Sequence, residues 1–147
     1  MSDKLPLPTL DRIDRRILKC LQKDGGLSNQ ELAEKVGLSP SPCLRRVRAL
    51  EEAGIILRRV TLLDRKKLGL SLTVILGIGM DRHTPDRFEQ FEAAVAALPE
   101  VQECYLVTGQ EADYQLKVVV PDMDAYQEFL LGKITRIPGV SGVRSSF

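Results

Sequence analysis

Arg45, Arg46 and Arg48 follow closely on Ser39, Pro40, Ser41 and Pro42. An arginine fork pairs with guanine edges or clamps phosphates. Small residues at a helix start let the backbone approach a groove, and the free N–H groups there favour phosphate. A second cluster is the run Thr108-Gly109-Gln110-Glu111-Ala112-Asp113-Tyr114. Glycine permits unusual backbone angles and close approach of a ligand. Exposed N–H groups there would take a carboxylate, and Asp113 or Glu111 would hold an ammonium. Those are the two ends of an α-amino acid. Asp113 fits equally well as a cap on the turn, or as partner to a basic residue across an interface.

Other chemistry finds little support. His83 is the single histidine, so a mechanism needing two is excluded. It lies in a polar stretch and is expected to be solvated. Cys20, Cys43 and Cys104 are scattered and odd in number, against a disulfide framework or a Cys-rich zinc site. All three are expected to be buried as small apolar residues. Asp86, Glu89 and Glu92 share a helix and read as a solvated face. No metal or catalytic residues are assigned. No run approaches the length of a membrane helix. The start Met-Ser-Asp-Lys-Leu-Pro lacks the apolar stretch of a signal peptide. A cytoplasmic protein is expected, with no membrane partner.

Three helices would position the arginines. Leu10, Ile13, Ile17, Cys20 and Leu21 share one face of a helix over 11–22, with Asp11 and Asp14 in its first turn. Ser28 opens the next helix, and Glu31 completes a capping box. Leu32, Ala33 and Val36 face inward, and Gly37 ends the helix. Ser39 caps the third helix, and Pro40 takes its first position. Cys43, Leu44, Val47 and Leu50 form its inner face. Ser41, Pro42, Arg45, Arg48 and Ala49 form its outer face, with Arg46 to one side, and Gly54 ends it. Two short helices with a tight turn and outward arginines make a helix-turn-helix. A plain helical bundle with a solvated basic face is the structural alternative.

The net charge of +1 conceals an asymmetry. Residues 1–68 hold 15 Lys/Arg against 9 Asp/Glu, and residues 69–147 hold 6 against 11. A basic half joined to an acidic half suggests two modules with different partners.

The run Leu10-Asp11-x-x-Asp14-x-x-Ile17-Leu18 resembles the start of the Lrp/AsnC family of transcription regulators. So does Glu31-Leu32-Ala33-x-x-Val36-Gly37-Leu38-Ser39. The most specific stretch is Ser39-Pro40-Ser41-Pro42-Cys43-x-Arg45-Arg46-Val47-x-x-Leu50-Glu51-x-x-Gly54-Ile55-Ile56. The resemblance covers nearly the whole chain. Residues 1–54 are then a helix-turn-helix DNA-binding domain, with or without a wing. Residues 55–69 are a linker whose stretch from Ile55 to Leu63 resembles a hinge strand that pairs between two chains. Arg58, Arg59 and Lys66 add phosphate contacts or only solvate it.

Residues 70–147 alternate strand and helix. Leu72, Val74, Leu76, Ile78 and Met80 alternate along a strand over 70–80. Phe88, Phe91, Val95 and Leu98 recur at helical spacing. Strands follow over 101–108 and 114–120, then a helix to about Lys133, then a last strand from Val140. This βαββαβ order is a ferredoxin-like fold with both helices on one face of the sheet. The chain is thus of the α+β class. Ile75, Leu106 and Val119, with Gly77 and Gly79, suggest that the other face meets a second chain.

The resemblance implies that this domain senses an effector and builds dimers that associate into octamers. It implies that Gly109, Gln110, Glu111, Asp113 and Tyr114 contact an amino acid between dimers; Thr135, in the loop before the last strand, is a further candidate from the sequence. It also implies a longer last strand than one stopping at Ser145-Ser146-Phe147. The expected partners are double-stranded DNA, an amino-acid effector and further copies of the chain, with no cofactor. Two other functions share these features. One is an effector-independent or architectural DNA binder. The other is an enzyme similar to the siroheme decarboxylases on the same fold, which needs a pocket of His and Arg where this half has only His83 and few arginines.

Overall fold

Ile17, Leu32, Ala33, Val36, Cys43, Val47 and Leu50 gather into one core, and a second core forms around Val74, Leu76, Ile78, Phe91 and Leu116. The computed structural model describes residues 8–107 and 111–147. The chain divides into two units, Met1–Leu62 and Leu63–Phe147.

The first unit holds α1 (Arg12–Lys23), α2 (Asn29–Val36) and α3 (Pro40–Glu52). Helix α1 begins with a full capping box, which the sequence pattern suggested for α2 instead. Asp11 is its N-cap and accepts the Asp14 N–H at 2.8 Å, while Asp14 accepts the Asp11 N–H at 3.2 Å. At α2 only half of the expected box forms: Ser28 Oγ accepts the Glu31 N–H at 3.1 Å. Gly37 then takes φ +73°, a left-handed angle that side chains resist, and this turns the chain from α2 into α3. Ser39 sits at the N-cap of α3 without a side-chain cap bond. Leu44, expected inside, lies at the margin and is exposed.

No strand forms between Ile55 and Ser71. The expected linker strand does not form within one chain. Ile55 and Ile56 donate their N–H groups to the Leu50 carbonyl and pack on the helical core. Beyond them Leu57 and Leu62 are 87% and 91% exposed. A strand needs a neighbour for its backbone groups, and none of the described residues offers one.

The second unit runs β1 (Leu72–Met80), α4 (Pro85–Ala96), β2 (Val101–Leu106), β3 (Tyr114–Val120), α5 (Met123–Gly132) and β4 (Val140–Ser146). The strands form one antiparallel sheet in the order β2-β3-β1-β4. Even-numbered residues of β1 and β3 meet Phe91, Val95, Tyr126 and Phe129, so both helices cover one face. A 3₁₀ turn over Ile134–Arg136, with no counterpart in the sequence pattern, buries Ile134 and leads towards β4.

Two details differ at the edge strand β2. A register shift between Val101 and Glu103 pairs Cys104 with Leu116 and Leu106 with Tyr114. Leu106 thus lies on the helix side of the sheet rather than beside Ile75. Cys104 is exposed rather than buried, because an edge strand has a neighbour on one side only. The helix-free face carries Ile75, Tyr105 and Val119 among polar neighbours, including the Lys117–Glu103 ion pair at 3.2 Å.

Candidate functional site

Helix α3 owes its position to three fixtures. Cys43, Val47 and Leu50 anchor its inner face in the core. Asn29, at the start of α2, donates its side-chain amide to the Pro40 carbonyl at 2.8 Å, tying the two helix starts together. Arg46 reaches back to α1, where one nitrogen donates to Asp11 Oδ2 at 2.6 Å and to Asp14 Oδ1 at 3.0 Å. These bonds raise the Arg46 pKa, the Asp11 contact most of all. The Asp14 N–H, and then Arg46, hold the Asp11 carboxyl below its usual range.

Arg46, which the sequence placed among the DNA-binding residues, therefore also belongs to the frame of α3. One nitrogen of its guanidinium is already held by two carboxylates. The outer face is left to Ser41, Arg45, Arg48 and Ala49, all exposed, with Leu44 and Glu52 completing a shallow groove. Ser39 is exposed at the N-cap and Pro42 is half-buried. Arg45 and Arg48 make no hydrogen bond or ion pair among the described residues. Such a face offers two planar cations beside small side chains, the chemistry that approaches base edges and phosphates. Arg58 and Arg59 are exposed just beyond it, with Arg59 3.8 Å from Glu51. Lys66 lies in the turn that closes on the Arg65 carbonyl.

The second candidate site presents a different picture. Thr108, Gly109 and Gln110 lie outside the described residues. Glu111 is exposed and pairs with Arg144 of β4. The backbone of Asp113 continues the sheet, with its N–H donating to the Ile78 carbonyl at 2.7 Å and its carbonyl accepting from Val107 at 2.9 Å. Its carboxylate is engaged at both oxygens. Oδ2 accepts the Met80 N–H at 2.7 Å, and Oδ1 lies 2.7 Å from His83 Nε2. Asp113 thus clips the end of β1 to the start of β3, close to the capping alternative read from the sequence.

Tyr114 points the other way. Its side chain is 1% exposed, packs against Phe91 at 4.6 Å between ring centroids, and donates its hydroxyl to Glu92 Oε1 at 2.6 Å. Burial first, and then this bond to a carboxylate, raises its pKa strongly. Tyr114 is accordingly a core residue, a correction to its place among effector contacts. Glu92 takes that bond rather than standing only on a solvated face. Thr135 lies in the 3₁₀ turn and donates its hydroxyl to the Leu131 carbonyl at 3.1 Å, closing the end of α5. The structure does not bond it to Asp113.

Two participants carry little or no mark in the sequence. His83 is 30 positions from Asp113, and a lone histidine in a polar loop carries no local signal of such a pairing. Gly77 did leave a signal, since glycine inside a strand often marks close backbone approach. A Cβ there would meet Ala112 at 3.3 Å, so Gly77 makes room for Ala112.

Comparison with known proteins places both units in a family. A model described as winged helix-turn-helix DNA-binding matches residues 10–56, and one described as the Lrp/AsnC ligand binding domain matches residues 73–147. The leucine-responsive regulatory protein of Salmonella typhimurium is 53% identical over 144 residues, covering 98% of this chain and 87% of that protein. The protein of the same name from Escherichia coli K12 is 52% identical with the same coverage. Among solved structures, an L-Met complex of a transcriptional regulator from Neisseria meningitidis superposes with a TM-score of 0.87. It is 42% identical and covers 95% of this chain and 89% of its own. An AsnC family regulator from Agrobacterium tumefaciens gives 0.86 at 43% identity, covering 94% and 89%. No helix among the described residues is long and apolar enough to cross a membrane. With an arginine-bearing helix-turn-helix in one unit and a four-stranded α+β sheet in the other, the chain belongs to the Lrp/AsnC family of transcription regulators.

Proposed function

We propose that this chain binds DNA as a dimer or larger assembly and that an amino acid governs that binding. Arg45 and Arg48, exposed and without a partner among the described residues, on a helix held by Arg46, carry this reading. Two copies would present α3 to half-sites about one helical turn apart. Ser39, Ser41 and Pro42 would lie against the backbone, Arg45 and Arg48 would meet bases or phosphates, and Arg58 and Arg59 would follow the phosphates. Residues 55–69, which form no strand within one chain, would join the two domains and pair between copies. Higher assembly to an octamer extends the same reading.

The effector would carry an aliphatic or thioether side chain. The names of the leucine-responsive relatives support leucine, and the similar Neisseria regulator solved as an L-Met complex supports methionine. Asp113 would face the ammonium, beside Gly109, Gln110 and Glu111. The chain's role is regulatory, with no catalytic step assigned to it.

The test is a thermal shift series with the twenty amino acids, followed by DNA binding with each hit. A ligand at 100 times its Kd adds about 2.7 kcal/mol of stability. The reading expects one or a few apolar amino acids to raise Tm and to change DNA affinity. DNA binding without a single hit would favour the effector-independent reading, which the engaged carboxylate of Asp113 also suits.

A further inference from the structure

The effector reading needs Asp113 to receive an ammonium, yet His83 already occupies the oxygen that would do so. Of the two carboxylate oxygens, Oδ2 is bound to the Met80 backbone and is fixed by the sheet. Oδ1 faces His83 Nε2 at 2.7 Å, and the imidazole is 67% exposed. It sits on the connection between β1 and α4, with its ring edge-on to Phe88 at 6.1 Å. That side chain can swing into solvent without disturbing either core.

We propose that His83 is the resident counter-group of Asp113, that the effector's ammonium displaces it, and that protonation of His83 weakens effector binding. This rests on the reading of Asp113 as the ammonium's partner. A neutral imidazole holds Oδ1 with one N–H donor. A protonated imidazole holds it as a cation and competes with the ammonium charge for charge. An imidazole displaced from the carboxylate holds its proton less firmly than one facing it, so binding sheds that proton and affinity falls as pH drops.

The surrounding charges leave this pair distinct. Asp81, two residues before His83, is held by Arg87 of α4 at 3.1 and 3.2 Å. Asp86, at the start of α4, is kept below the usual carboxyl range chiefly by the Thr84 hydroxyl. Glu111 pairs with Arg144 of β4. Glu92 accepts the Tyr114 hydroxyl, and Arg82 lies on His83's own segment. Among the described residues, Asp113 is the group bonded to the imidazole.

Calorimetric titration of the full chain with L-leucine and L-methionine at pH 7.5 and 5.5 tests the proposal. Wild-type affinity should fall about fivefold at the lower pH, the scale of one exposed ion pair. His83→Gln keeps an N–H donor but cannot titrate, so its affinity should be the same at both pH values. Proton NMR adds a readout independent of affinity, since the chain has a single histidine. Saturating ligand should move the midpoint of that imidazole's titration to lower pH. Equal pH dependence in wild type and His83→Gln would overturn the proposal and leave the effector reading standing. Absence of binding in both proteins at both pH values would overturn the two together.

Discussion

Arg45 and Arg48 stand exposed on α3 with no partner among the described residues, while Asp113 and Tyr114 in the sheet unit are bonded on arrival. The two units solve opposite problems. A helix that reads DNA must keep its donors free, because phosphates and base edges supply the partners. Its geometry must then come from elsewhere, and here Asp11, Asp14, Asn29 and Arg46 supply it from the rim. The sheet unit has no such separation. The start of its β3 is clipped to the end of β1 by the same carboxylate that would receive a ligand. A ligand there must displace a bond that the chain already makes, so its affinity depends on how firmly that bond is held. A DNA site adds contacts to a face that lacks them.

The largest expected effect asks whether the two units are energetically separate. Phe91 is fully buried at the centre of the second core. Phe91→Ala should cost about 3–5 kcal/mol. Differential scanning calorimetry should show the sheet unit's transition falling while that of the helical unit stays put. A shared downward shift would join the units and break the comparison.

A smaller effect separates reading from framing on one helix. Arg45→Ala should cost about 1–3 kcal/mol in discrimination between DNA sequences and leave Tm unchanged. Arg46→Ala should lower Tm and weaken binding to every sequence alike, since it loosens α3 from α1. Anisotropy titrations on specific and scrambled duplexes, with a melting curve for each variant, check both. Identical profiles for the two variants would mean that the frame and the reading face are not distinct.

The smallest effect is the pH dependence of the frame. The Asp11 carboxyl is held below its ordinary value of 3.8, most by the Asp14 N–H and next by Arg46. The folded chain thus binds fewer protons there than the unfolded one at acid pH. The stability this confers is complete above the unfolded value and is lost as pH falls through the folded one. Acid unfolding of the helical unit, followed by circular dichroism, should therefore be shallower in Asp11→Asn than in wild type below about pH 4.

Much of this was written locally in the chain. Helix starts and stops at Ser28, Gly37 and Pro40 depend on neighbours within a turn, so their chemistry can be read in order. The alternation from Leu72 to Met80 fixes which side chains enter the core, because a strand's period is two. From these follow the helix-turn-helix, the βαββαβ order and the outward arginines at 45 and 48. Tertiary structure decided what sequence distance conceals. Arg46 meets Asp11 across 35 positions and His83 meets Asp113 across 30, and no periodicity links such pairs. The bulge in β2 moved Leu106 to the other face of the sheet, since one extra residue inverts the alternation after it. Composition determined which side chains were available for chemistry, and packing determined which of them remained free to perform it.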